Sequence, residues 1–137
     1  DAGKPPAEAR VWRATLERVR SVWDYSIHLV LVVDDAAGRA LDQDPLAARA
    51  FTEVVREGVT NAVRHADATR VDVRAHRHGD CVAVTVEDNG RVQDDAGAPG
   101  LGSQMMDAAC LAWRLDAVAT GHRLTASIPV AGEHDAA

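Results

Sequence analysis

Two adjacent segments, "TRVDVRAH" and "CVAVTVED", constrain this chain most, because both place apolar residues at every second position. Successive strand side chains point to opposite faces, so Val71, Val73 and Ala75 share one face of the first segment, and Val82, Val84 and Val86 share one face of the second. "HRHGD" between them supplies a turn, which predicts a hairpin with one apolar face. A lone hairpin is marginal in water, so that face must be covered by another layer. "WRLDAVAT" and "HRLTASIPV" alternate again and meet around Thr120 and Gly121, predicting a second hairpin that closes the sheet.

The covering layer is legible upstream. In "AEARVWRATLERVRSVW", residues 7 to 23, Trp12, Leu16, Val19 and Trp23 recur at helical spacing among arginines and glutamates. Asp44 followed by Pro45 is a helix start, since aspartate caps orphan amides and proline is tolerated at the first helical position; this helix should run from about Pro45 to about His65. The β-branched run "SIHLVLVVDD", from Ser26, reads as a strand ending near Asp34, and "DDAAGRALDQD" as a polar connection. "NGRVQDDAGAPGLG" lacks periodicity and reads as a mobile loop, followed by a short helix from about Ser103 to Leu111; the tail from residue 131 should be frayed. The fold expected is α+β, a two-layer sandwich of a mixed, mostly antiparallel sheet covered on one face by helices. At 137 residues this is one domain, with its core over about 7–130.

Composition narrows the partners. The formal net charge is -6 and the basic residues are scattered, which argues against a nucleic-acid footprint. Apolar runs never approach the roughly 20 residues needed to cross a bilayer, so no direct membrane contact is expected of this domain. The two cysteines, Cys81 and Cys110, lack CxxC spacing, and no secretory signal opens the chain; a cytoplasmic setting is expected. The chain begins with Asp1 rather than Met, as a piece of a longer protein would.

Three features carry chemistry. On the helix over "EGVTNAVRHA", Glu57, Asn61, Arg64 and His65 fall within about one quadrant, bordering the stripe of Phe51, Val55, Gly58, Ala62 and Ala66. Such a row could grip a metal-bound polyanion, with the amide oxygen on Mg²⁺, the cations on phosphate and the carboxylate as a base, or it could be a solvated helix face. Asp88 continues the parity of Val82, Val84 and Val86, so its carboxylate should emerge on the inward face. There it needs a donor such as a purine exocyclic amine, with Gly90 allowing a flat ring to approach, unless it merely caps a turn. "GLGSQMMDA" sets Gly100 and Gly102 ahead of a helix, where free amides favour anions, although most such pairs are only turns. His76 and His78 have acceptable metal spacing, but Arg77 and Gly79 favour a solvated hairpin end.

Taken together and in this order, "EGVTNAVRHADATRVDV", "VTVEDNG", "GLGSQMMDA" and "WRLDAVATGHRLTASIPV" resemble the N box and glycine boxes of the GHKL ATPase superfamily. The resemblance is to the catalytic ATP-binding domains of bacterial sensor histidine kinases of the nitrate-sensor and DesK-like type, over about Leu46 to Val130. It implies the Bergerat fold, with ATP and Mg²⁺ as ligands: Asn61 binding Mg²⁺, Glu57 polarising the nucleophile, and Arg64 and His65 contacting phosphate. It further implies that Asp88 holds the adenine amine, that Gly90 gives the base room, and that Gly100, Leu101 and Gly102 offer amides to phosphate beneath a lid over Arg91–Pro99. The implied partners are a histidine-bearing dimerisation domain of a parent kinase, of a kind that can be membrane-anchored, and a downstream response regulator. No histidine here suits the phosphoacceptor role: His28 lies in an expected strand and His65 in the binding row, so the chain alone should autophosphorylate poorly. The sequence departs from the family pattern at Val92, where a second glycine is usual, and at Gly121–His122, where a Gly-Thr pair is usual. An anti-sigma-factor serine kinase and a non-catalytic nucleotide-sensing module are the alternative readings.

Overall fold

The computed structural model describes residues 7–23, 26–91 and 112–131. The expected loop beyond Arg91, the expected helix over 103–111 and most of the expected tail lie outside them. The elements are α1 (Ala7–Trp23), β1 (His28–Val33), α2 (Asp35–Asp42), α3 (Pro45–Ala66), β2 (Arg70–His78), β3 (Cys81–Asp88), β4 (Ala112–Val118) and β5 (Gly121–Pro129). The strands form one sheet in the order β1-β2-β3-β5-β4; β1 and β2 are parallel and every other pair is antiparallel. This is the mixed α+β sandwich expected from the alternation.

The inward face carries Val71, Val73 and Ala75 from β2, Val82, Val84 and Val86 from β3, and Leu124, Ala126 and Ile128 from β5, all buried. Helix α3 lays Phe51, Val54, Val55, Val59 and Ala62 against them, also buried. Each fully buried Val or Phe contributes about 1.5–3 kcal/mol, so this seam dominates the stability of the sandwich. The β2–β3 turn is two residues long, and Gly79 adopts φ +59°, a conformation that suits the right-handed twist of a hairpin. Helix α1 rests on the helical layer. The Trp12 ring meets Phe51 edge-on at 5.6 Å, its Nε1 donates to Asp42 Oδ1 at 2.9 Å, and Arg13 lies over the same ring while bonding Asp42.

The segment expected to be a polar connection contains helix α2 instead. Asp34 caps it, accepting from the Ala37 amide at 2.7 Å, and Ala37, Ala40 and Leu41 are buried at helical spacing. Three small or apolar contacts among three aspartates and a glycine gave too faint a periodic signal to identify so short a helix. No helix among the described residues is long and apolar enough to cross a membrane.

Helix α3 begins where Asp44 and Pro45 predict and ends one residue past the expected His65. Asp44 serves two places at once: Oδ1 accepts from the Ala47 amide at 3.1 Å, and Oδ2 accepts from the Ala131 amide, just past β5, at 2.8 Å. Asp44→Ala should therefore destabilise the chain by about 1–2 kcal/mol, the upper part of the range for losing a helix cap, as measured by urea unfolding.

Candidate functional site

One end of the sandwich collects four chain segments. At its C-terminus α3 turns through Asp67, in the left-handed conformation at φ 51°, and Ala68 donates its amide back to the Ala62 carbonyl. The chain then enters β2, whose Val71 is paired with Asp88 at the end of β3; Asp88 is in turn paired with His122 at the start of β5. The last turns of α3, the start of β2, the end of β3 and the start of β5 thus lie together.

Close contacts fix that meeting. Gly58 of α3 faces Val86 of β3 so tightly that an added Cβ would lie 2.9 Å from Val86 Cγ1. Gly121 adopts φ +149°, and a Cβ there would collide with the Asp88 carbonyl oxygen. Only glycine tolerates both the conformation and the approach. Asn89, which follows β3, fastens it to β2: its Oδ1 accepts from the Thr69 and Arg70 amides at 2.9 Å each, and its Nδ2 donates to Thr69 Oγ1 at 2.9 Å. Beyond it, Arg91 lies 3.7 Å from the Asp67 carboxylate.

Within this frame Asp88 is directed inward, as its parity predicts, with only 9% of its side chain exposed. Its Oδ1 accepts from the Gly90 amide at 2.8 Å and lies 3.2 Å from His122 Nδ1. Since a carboxylate only accepts, the proton of that pair is assigned to Nδ1. No donor among the described residues is found on Oδ2. On α3, Glu57 and Asn61 are half-buried, and Asn61 Nδ2 donates to Glu57 Oε1 at 3.3 Å. That bond orients the amide and leaves its oxygen as a free acceptor among the described residues. Arg64 is exposed on the same helix, and His65 follows it, its side chain outside the described residues. Gly100, Leu101 and Gly102 also lie outside them. His76 and His78 are exposed at the hairpin end with ring centroids 6.5 Å apart, and no group of three metal-ligating side chains occurs among the described residues.

Residues 46–125 match the family described as histidine kinase-, DNA gyrase B- and HSP90-like ATPases. The chain belongs to this family. Among solved structures, the histidine kinase domain of the blue-light-activated histidine kinase EL346 of Erythrobacter litoralis is 25% identical, with a TM-score of 0.66 over 87% of this chain and 61% of that one. The chain thus spans about three fifths of that relative's length. The ATP-binding domain of PrrB from Mycobacterium tuberculosis has the same fold at 19% identity, TM-score 0.60, with 96% of this chain and 100% of that one covered. The histidine kinase domain of the E. coli osmosensor EnvZ follows at 17% identity, TM-score 0.58, with 86% and 85% covered. A search of curated proteins gives no match.

Sequence reasoning missed two residues of this cluster. Asn89 read only as the first residue of a loop, although an Asn at a strand end can bond backbone amides across to the next strand. His122 read only as a departure from the family pattern, although it shares the parity of Leu124, Ala126 and Ile128 and so had to face inward. Because Val86 is stiff and buried, Gly58→Ala must push α3 from β3; we expect a loss of about 1–3 kcal/mol in urea unfolding.

Proposed function

We propose that this chain is the ATP-binding catalytic domain of a bacterial sensor histidine kinase, of the nitrate-sensor and DesK-like type, which passes the γ-phosphoryl group of ATP to a histidine on a separate dimerisation domain. The observation that carries this reading is Asp88: an inward carboxylate with one oxygen held by two donors and the other open. Leaving such a group without a further partner is costly, and the exocyclic amine of adenine is a donor of the right kind.

The donor set also fits a magnesium-bound triphosphate. The free Asn61 amide oxygen is a hard ligand suited to Mg²⁺, and its bond to Glu57 sets its direction. Arg64 and His65, in the last turns of α3, are the phosphate-contacting residues of this reading, and Gly100, Leu101 and Gly102 are the residues whose amides would serve the same phosphates. Glu57, half-buried and bonded through Oε1 to the Asn61 amide, polarises the incoming imidazole. When bound, Mg-ATP supplies the transferable phosphoryl group and neutralises its oxygens. The chain's own contribution is positioning and electrostatic stabilisation. A response regulator is the downstream partner under this reading.

Asn61→Ala should abolish the magnesium dependence of ATP binding in titration calorimetry, while an unchanged dependence would remove that residue from the metal. Glu57→Gln should leave ATP affinity within about threefold of the unaltered chain. It should lower phosphohistidine yield at least about a hundredfold when the dimerisation domain is supplied in trans, within the range for losing a general base. Equal yields would dismiss Glu57 as the base, and no yield from the unaltered chain would favour a nucleotide-sensing module.

A further inference from the structure

Among the described residues His122 and Thr52 are the polar residues buried as a whole, backbone included, and they differ in what they do. Thr52 bonds the carbonyl one turn back in its own helix, an arrangement that any threonine in a helix can make. His122 instead reaches across from β5 to the Asp88 carboxylate of β3, with 11% of its side chain exposed. Gly121 makes this reach possible, because a side chain at position 121 would collide with the Asp88 backbone and force the two strands apart at this register.

The chemistry of the pair is asymmetric. Both donors on Asp88, the Gly90 amide and His122 Nδ1, use the same oxygen, Oδ1. The Gly90 amide alone is one contact from two residues along the chain and leaves the carboxylate plane free to turn about it. A second donor from another strand fixes that plane, and with it the direction in which Oδ2 can accept. A fixed acceptor discriminates between purines: the 6-amino group of adenine donates to it, whereas the 6-keto oxygen of guanine is repelled, and a purine bearing hydrogen at C6 gains nothing from it.

We propose that His122 is a positioning residue for nucleobase recognition, holding Oδ1 of Asp88 so that Oδ2 is aimed at the exocyclic amine of an adenine nucleotide. The inference rests on the ATP-binding reading above and adds to it the residue that sets base selectivity. His122 acts through Asp88, so its contribution appears only with nucleotides that carry the amine.

The test compares ATP with purine riboside 5′-triphosphate, which lacks the 6-amino group, binding to the unaltered chain, to His122→Leu and to His122→Asn in titration calorimetry. Leucine removes the donor at similar volume; asparagine restores an N–H close to the position of Nδ1. Loss of a hydrogen bond to a charged group predicts that His122→Leu binds ATP about tenfold or more weakly, but the analogue within about threefold of the unaltered chain. His122→Asn should recover most of the loss for ATP. Equal losses for both nucleotides would mean that His122 only supports the fold, and no loss for ATP would mean that it does nothing for the base; either overturns the proposal. If His122→Leu does not fold, ¹⁵N-edited NMR of the unaltered chain decides: the His122 Nδ1 signal should carry a proton and shift with ATP distinctly more than with the analogue. An unprotonated Nδ1, or equal shifts, overturns the proposal. Failure of the unaltered chain to bind ATP at all would defeat the functional reading itself, whereas ATP binding without these differences would defeat only the role of His122.

Discussion

The end of β3 is gripped from two sides by elements that come too close to admit a side chain. Gly58 lets α3 lie against Val86, and Gly121 lets the start of β5 lie against the backbone of Asp88. Asn89 adds a third hold, on β2. A carboxylate at the end of an ordinary strand would find water and turn freely. Here the strand end is immobilised among three neighbours, so Asp88 stays in the sandwich with a defined orientation. The conformational cost of ordering it is met by the packing of a sheet that would form in any case.

The same geometry links stability to binding. Helix α3 is both the main cover of the sheet and the carrier of Glu57, Asn61, Arg64 and His65. Its apolar stripe, from Phe51 to Ala62, fixes how it sits on the sheet, and the polar row follows from that placement because the two faces share one backbone. A change that lifts the helix from Val86 therefore disturbs the row without altering any of its members. The Asn61–Glu57 bond, by contrast, is local to one turn of the helix.

Much of this was legible in the sequence, for physical reasons that differ from element to element. The hairpin of β2 and β3 declared itself because Val71, Val73, Val82, Val84 and Val86 obey the period of a half-buried strand. The inward direction of Asp88 followed from the same parity. Helix α3 was marked by its Asp-Pro start. Helix α2 was not legible, because its buried side chains are Ala37, Ala40 and Leu41, and its Asp34 cap sits in a run of polar residues that resembles a loop. The bond between His122 and Asp88 was beyond sequence reasoning: it needs the register of β3 on β5, and register comes from the packing of whole strands. The parallel pairing of β1 with β2 likewise depends on the crossover through two helices, only one of which the sequence announced.

The central claim is that the inward acid at the end of β3 and the amide row of α3 enclose one magnesium-bound adenine nucleotide. It is tested most directly by a crystal structure of the chain grown with Mg²⁺ and a non-hydrolysable ATP analogue. The account predicts the adenine 6-amino group within hydrogen-bonding distance of Asp88 Oδ2 and the metal ligated by Asn61 Oδ1. Nucleotide bound elsewhere, or a space between α3 and Asp88 filled by side chains at saturating ligand, would contradict it.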